Sequence, residues 1–595
     1  MTTEDDVGGQ NLEKLTENLA KVDELSKRLV AAMSQRKPIN PSLHGPDQDL
    51  FLKAGAAYWH EMMENPARLF EQQLEYWGKS LTHYIEAQQM LAKGPLAVPE
   101  DKTPTDRRFS NPLWQTHPYF NFIKQQYMIN AEAVRDAVAA AKDDLDPKDA
   151  RRLDYFTRQI IDMMSPTNFL GTNPDALEKA VETEGESLVR GLENLIADIE
   201  ANDGDLLVRL ADENAFVVGE NIATTPGSVI FRNHMFELIQ YTPTTETVAA
   251  VPLIIFPPWI NKFYIMDLKD QNSLIKWITD QGYTLFVVSW VNPDPSYRDV
   301  GLETYIEDGY LTAIDEVKKI TGQKQVNCIG YCIAGTTLAM TLALLKKRGG
   351  KSVKSATFFT TLTDFSEQGE FQPFLQDDFI DGIEKEVTEN GILRSFIMSR
   401  TFSFLRSNDL IYQPAIKSYM MGESPPAFDL LFWNGDGTNL PAKMAMQYLR
   451  ALCQEDRFAQ GGIELLGETL RLKDVDVPVC AIACETDHIA AWKDSYRGVQ
   501  GMGSRSKTFI LSESGHIAGI INPPSKKKYG HYTNADTKLT DDDWRQGATF
   551  AEGSWWPRWE SWLAKRSGKQ VAARAPGDSS HPVLCAAPGT YVKSS

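Results

Sequence analysis

The chain is 595 residues long, 42% hydrophobic and 24% charged, which is the profile of an ordinary globular protein and excludes a disordered or fibrous one. Its formal net charge of −19 excludes broad nucleic-acid binding, which needs a basic face, so any anionic substrate has to be met by a local basic pocket. Six cysteines (328, 332, 453, 480, 484 and 585) are too few to staple a chain of this length and point to a reducing compartment.

The first residues, Met1-Thr2-Thr3-Glu4-Asp5-Asp6, are acidic with no apolar run behind them. No secretory signal is read there, and no stretch approaches the ~20 apolar residues of a membrane span, so a cytosolic protein is expected. Residues 1–204 read as a helical domain without a strand. In Pro66 to Lys93, Leu69, Phe70, Leu74, Trp77, Leu81, Tyr84, Ile85 and Leu91 recur mostly at three- and four-residue intervals, an amphipathic face. That face either packs on the protein's own core or docks on a hydrophobic surface or partner. A Pro/Lys/Asp-rich stretch from Gly94 to Arg108 leads into a second helical run, Asn111 to Met164, and Asp175 to Asn202 reads as one more helix.

After about residue 205 the texture changes to strands in series. Gly227 to Tyr241 reads as a hairpin pair, followed by Val251–Phe256, Thr284–Trp290, Val326–Tyr331, Ala356–Leu362, Val479–Ala483 and Thr508–Leu511. Helices such as Leu274 to Gln281 and Ile306 to Thr321 alternate with them, which indicates a mostly parallel sheet covered on both faces. The stretch 366–475 breaks the alternation and is rich in aromatic residues, as a cap inserted above a site would be. The tail from Arg566 is Ser/Ala/Gly/Pro-rich and reads as loose. Cys328/Cys332 and Cys480/Cys484 each have three intervening residues and lie in strand-like runs, not in zinc knuckles, so neither metal nor cofactor is expected.

The chemistry concentrates at Gly330-Tyr331-Cys332-Ile333-Ala334-Gly335, where an apolar run turns sharply into the helix-forming run from Thr337 to Leu345. This is the nucleophile-elbow pattern of an α/β-hydrolase, with cysteine in place of serine. Small residues two before and two after the nucleophile, here Gly330 and Ala334, answer the crowding of that turn. The triad partners of this fold follow in the order acid, then base. Asp487 comes just after the Val479–Ala483 strand, and His516 just after the Thr508–Leu511 strand. Both therefore sit at strand C-terminal ends, where the sites of open α/β sheets lie. His488 as base with Glu485 or Asp487, Glu513 as acid, and Cys332 as a buried structural thiol are the alternatives. A free thiol is mostly protonated near neutral pH, so His516 has to take its proton, and Asp487 orients the imidazole. The oxyanion needs two backbone N–H groups: Ile333, next after the nucleophile, and one from Phe256-Pro257-Pro258-Trp259-Ile260-Asn261-Lys262. Proline has none to offer, and Ile260 is the expected donor. A thiolate exchanging with a thioester is near thermoneutral, so a cysteine elbow favours acyl transfer from a thioester over ester hydrolysis.

These motifs, with Ser165-Pro166-Thr167-Asn168, Thr363-Asp364-Phe365, Phe432-Trp433-Asn434-Gly435-Asp436, Asp487-His488-Ile489, Gly515-His516-Ile517 and Gly553-Ser554-Trp555-Trp556-Pro557, resemble those of single-subunit (class I) polyhydroxyalkanoate synthases. The likeness runs from about Phe109 to Leu563. One departure is Ala334, where the family usually has the first glycine of a closing pair. The resemblance implies an α/β-hydrolase core over 205–595 with a cap at about 366–475, preceded by the helical domain 1–204. It further implies polymerisation of (R)-3-hydroxyacyl-CoA, short-chain 3-hydroxybutyryl-CoA foremost, with release of CoA. Cys332 would carry the chain as a thioester, His516 would activate it, and Asp487 would help activate the incoming 3-hydroxyl. A homodimer attached to the polyester granule surface in the cytoplasm is implied as well. A cysteine-type hydrolase (thioesterase or polyester depolymerase) and a non-catalytic granule scaffold are the rival readings.

Overall fold

The computed structural model describes residues 4–34, 52–58, 60, 66–93, 97–101, 103–202 and 204–594. They form two compact units: Met1–Asp212 with Arg400–Pro426, and Glu213–Ser399 with Ala427–Ser595. A stretch of the expected cap insertion is thus grouped with the helical unit.

In the helical unit, α1 (Glu4–Ser34), α2 (Pro66–Lys93), α3 (Pro118–Ala141), α4 (Pro147–Met163), α5 (Pro174–Glu182) and α6 (Glu186–Ala201) carry the fold. Prolines at the first turn of α3, α4 and α5 mark their starts, with Asp146 and Asn173 accepting N–H groups as caps. The single helix expected over Asp175 to Asn202 is two, because Glu184 (φ 53°) and Gly185 (φ 84°) take the left-handed conformation that ends a helix. Phe109, Trp114, Phe120, Tyr127 and Ile161 form one core cluster, and Leu25 of α1 packs with Val189 and Ile196 of α6 in another.

The α2 helix packs on α3 through His83, stacked on Phe122 at 4.7 Å, and through Lys79, paired with Glu132 at 3.0 Å. Its apolar stripe faces away: Leu74, Trp77, Leu81, Tyr84 and Ile85 are 57, 66, 59, 54 and 44% exposed. The side chains of Leu69, Phe70 and Leu91, read as part of the same face, lie outside the described residues.

The second unit is built on a twelve-stranded sheet. Its strands are β1 (Gly227–Arg232), β2 (Phe236–Tyr241), β3 (Thr247–Phe256), β4 (Tyr283–Trp290), β5 (Val326–Tyr331), β6 (Val353–Phe359), β7 (Val479–Cys484), β8 (Lys507–Ser512), β9 (His531–Thr533), β10 (Thr549–Ala551), β11 (Gln570–Ala572) and β12 (Cys585–Ala586). Their order is β10-β9-β8-β7-β6-β5-β3-β4-β2-β1-β12, with β11 beside the first half of β3. The central strands β8, β7, β6, β5, β3 and β4 run parallel, and the outer ones antiparallel. Strands β5 and β7 are buried at every residue, as continuous apolar runs covered on both faces must be. Ile239, Ile255, Val287, Ile329, Ile482 and Ile510 pack with Trp555, Trp556 and Trp559 into one core.

The expected strands are all present, with ends moved by a few residues, and β9 to β12 are additional. They are two or three residues long, too short for alternation to show. The tail read as loose is fixed. Strand β11 pairs with β3, and β12 pairs with β1. Glu237, fully buried, accepts the N–H groups of Thr590 and Tyr591 at 2.8 and 3.0 Å. His581 meets Glu316 at 2.8 Å. Among the described residues no helix is long and apolar enough to cross a membrane.

Candidate active site

The chain leaves β5 and must reverse into α7 (Ile333–Lys347), the helix behind the elbow, within one residue. Cys332 takes up the whole change at φ 53°, ψ −127°, a backbone state that costs a non-glycine residue about 1–3 kcal/mol. The surroundings hold it there. The Cys332 N–H donates to the Phe359 carbonyl at the end of β6 (2.8 Å), and the Thr361 hydroxyl lies 3.1 Å from the Cys332 carbonyl. A Cβ on Gly330 would come within 2.5 Å of the Gly335 Cα, and one on Gly335 within 2.1 Å of the Thr361 hydroxyl. The crowding thus falls on Gly330 and Gly335. Ala334 is buried without such a clash, and its carbonyl accepts the Tyr310 hydroxyl at 2.8 Å. This is the physical reason the departure at Ala334 is tolerated.

The structure brings Cys332, Asp487 and His516 together from the ends of β5, β7 and β8. The His516 Nδ1–H donates to Asp487 Oδ2 at 2.6 Å. The other oxygen of Asp487 accepts the N–H groups of Ile489 and Ala490 at 2.8 and 2.9 Å, and its side chain has no exposed surface. Both oxygens thus accept hydrogen bonds within the chain. With Nδ1 taken, Nε2 remains for Cys332, which acts on the ring both as a charge and as a hydrogen-bond partner. Burial disfavours the imidazolium, but Asp487 and Cys332 outweigh it and hold His516 well above its ordinary pKa. The alternatives place elsewhere: Glu513 accepts the Gly530 N–H at 2.6 Å, and the imidazole that Asp487 holds is that of His516.

The other cysteines differ in kind. Burial raises the thiols of Cys328, Cys480 and Cys484 far above the ordinary range and pushes Cys453 up to about 12. Cys484 packs under the His516 turn, where a Cβ on Gly519 would meet its Sγ at 2.4 Å. Among the described residues no cluster of His, Cys, Asp or Glu could hold a metal ion.

Ile333 opens α7, so its N–H has no acceptor within the helix. Ile260 lies in the turn after β3, and that turn is held by contacts sequence reasoning did not find. Thr438 donates its N–H to the Ile260 carbonyl at 3.0 Å and its hydroxyl to the Trp259 carbonyl at 2.9 Å. Buried Lys262 pairs with Asp436 at 2.6 Å, and the Tyr264 hydroxyl donates to the same carboxylate at 2.8 Å. The indole of Trp433 donates to the Lys262 carbonyl at 2.6 Å. On the other side, the Trp259 indole reaches Thr337 of α7 at 3.2 Å. Tyr448, also missed, sets its ring edge-on to Trp259 at 5.9 Å and to Phe365 at 6.1 Å. Its hydroxyl is raised by burial, by Cys453 and by Cys332, which puts it near the nucleophile. No motif marks it; the only signal was an aromatic residue in the cap insertion.

Comparison with known proteins gives the family of the chain. Residues 105–278 match the model of the poly-beta-hydroxybutyrate polymerase (PhaC) N-terminus, and residues 252–523 match that of the alpha/beta hydrolase fold. A poly(3-hydroxyalkanoate) polymerase of Methylorubrum extorquens is 40% identical over 598 residues, covering 98% of this chain and 98% of the relative. The poly(3-hydroxyalkanoate) polymerase subunit PhaC of Rhizobium etli is 39% identical over 90% of this chain and 84% of its own length. The corresponding subunit of Cupriavidus necator is 36% identical over 93% of this chain and 89% of its own length.

Proposed function

The chain belongs to the poly(3-hydroxyalkanoate) polymerase family, an acyl-transferring enzyme of α/β-hydrolase fold, and from that premise we propose that it polymerises (R)-3-hydroxyacyl-CoA into polyester through a thioester on Cys332. The observation that carries the reading is the cysteine at a strained elbow beside an imidazole locked by Asp487. The Cys332 thiol gives its proton to His516, and the thiolate attacks the thioester carbonyl. The oxyanion is met by the N–H groups of Ile333 and Ile260, which are preorganised by the helix terminus and the Thr438 clamp. The carbon–sulfur bond to CoA breaks, and the leaving thiolate takes the proton back from His516.

The 3-hydroxyl of the next unit then attacks the acyl-cysteine. An ester bond forms, the bond to Cys332 breaks, and the hydroxyl proton passes to His516 and on to the sulfur. Asp487 acts through His516 in both steps, since its oxygens are already engaged. 3-Hydroxybutyryl-CoA is the proposed preferred unit. Attachment to the polyester granule in the cytoplasm and a homodimeric state complete the reading, supported by the exposed apolar stripe of α2.

The test is CoA thiol release from (R)-3-hydroxybutyryl-CoA by the purified chain and by Cys332→Ala, with insoluble polymer assayed alongside. Release with polymer in the former and neither in the latter is expected. Release with only free 3-hydroxybutyrate would replace the synthase by a thioesterase. No release from this or longer 3-hydroxyacyl-CoAs would revive the scaffold reading.

A further inference from the structure

A chain of net charge −19 that acts on a CoA thioester has to bring its nucleophile to a molecule carrying three phosphate groups. On the catalytic unit several cations near the site and elsewhere are neutralised in place: Lys262, Lys269, Lys276, Lys443, Arg394 and Arg545 each meet a carboxylate. The connection between β8 and β9 is different. It carries His516 near its start and Lys526-Lys527-Lys528 near its end, all three lysines exposed. Among the described ion pairs none involves these three.

The basic turn is tied by hydrogen bonds to the segment that carries the base. Lys527 sits at φ 45°, the left-handed region that a non-glycine residue enters only where its surroundings impose it. Lys528 lies 4.9 Å from the centroid of the Tyr529 ring and hydrogen-bonds its hydroxyl, which also bonds Ser514, two residues before His516. The Tyr529 carbonyl accepts the Asn522 side-chain N–H at 3.0 Å, and the next N–H, of Gly530, donates to Glu513 at 2.6 Å. The loop that supplies the general base thus also carries three exposed lysines, at the C-terminal edge of the sheet.

We propose that Lys526, Lys527 and Lys528 form the subsite for the phosphates of the CoA nucleotide, holding the 3′-phosphorylated ADP end while the thioester reaches Cys332. This rests on the CoA-thioester reading given above. It accounts for how an acidic protein accepts a polyanionic substrate: three consecutive exposed cations stand on the loop that also carries His516. The turn acts in binding alone, because the phosphates are remote from the reacting carbonyl.

The test compares the full chain with the K526E/K527E/K528E variant on two substrates, (R)-3-hydroxybutyryl-CoA and the N-acetylcysteamine thioester of the same acid, which has no nucleotide. The variant is expected to raise KM for the CoA ester by roughly tenfold, since each exposed ion pair contributes up to about a factor of five. Its kcat stays within about twofold, and its kcat/KM for the N-acetylcysteamine thioester is unchanged. Added salt should raise KM for the CoA ester in the wild type and not in the variant. An unchanged KM for the CoA ester would overturn the subsite. So would an equal loss on both substrates, which would mean that the His516 turn itself had been damaged. Should the wild type turn over neither substrate, the catalytic reading fails separately. Calorimetric titration of CoA into wild type and variant then decides the subsite: tighter binding to the wild type upholds it, and equal or absent binding overturns it.

Discussion

The elbow and the α2 helix handle apolar sequence in opposite ways. At the elbow a fully buried strand presses one reactive side chain outward, and its strain is held by packing on β6. On α2 the residues at helical spacing that would be expected to build a core, among them Trp77 and Leu81, are more than half exposed, and the helix packs through His83 and Lys79 instead. A buried parallel strand has only one place to go, between its neighbours. An amphipathic stripe identifies a face without saying what covers it.

That contrast can be broken most sharply at the strand-end turns. His516→Ala or Asp487→Asn should lower the rate of CoA release by about 10³–10⁴-fold, with the thermal midpoint little changed for the asparagine variant. A loss under about tenfold would mean that the imidazole is not the group that activates Cys332.

The next effect is at the clamp on the Ile260 turn. Asp436→Ala leaves buried Lys262 uncompensated, at a cost of about 3 kcal/mol. It should also lower kcat by about 10²-fold with KM nearly constant, the signature of a displaced oxyanion donor. Restoration of kcat by Asp436→Asn, which retains an acceptor for Tyr264, would separate positioning from the charge itself.

A smaller effect is set by pH. Asp456, buried with Asp364, Gln460 and Arg497 around it, has its carboxyl raised to about 6 by burial, against the N–H of Phe365 that favours its ionised form. A raised folded pKa contributes stability that is complete below the unfolded value of 3.8 and is lost as pH rises through about 6. Asp456→Asn should therefore raise the melting temperature by a few degrees at pH 8 and by about half as much at pH 5. An equal rise at both values would remove the carboxyl as its cause.

The smallest effect on the fold is expected on α2. Trp77→Glu with Leu81→Glu should shift stability by no more than about 0.5 kcal/mol, because neither side chain is buried within the chain. The same variant should abolish binding to polyester granules or change the oligomeric state. If gel filtration and granule sedimentation are both unaffected, the stripe has no such partner.

The sequence by itself determined the alternation of strands and helices, the elbow at Cys332, and the strand-end positions of Asp487 and His516. Each of these is a local signal, an apolar run followed within a few residues by a group of the right chemistry. It could not show the Lys262–Asp436 pair or the Thr438 clamp, whose members are more than 170 residues apart and carry no shared pattern. The exposure of the α2 stripe, the division of α5 from α6, and the anchoring of the tail by Glu237 were likewise decided in three dimensions. Local propensity settles which elements form and where a strained turn falls. Which charges meet, and which apolar faces stay uncovered, depend on desolvation and packing between distant segments, and these exist only once the chain has folded.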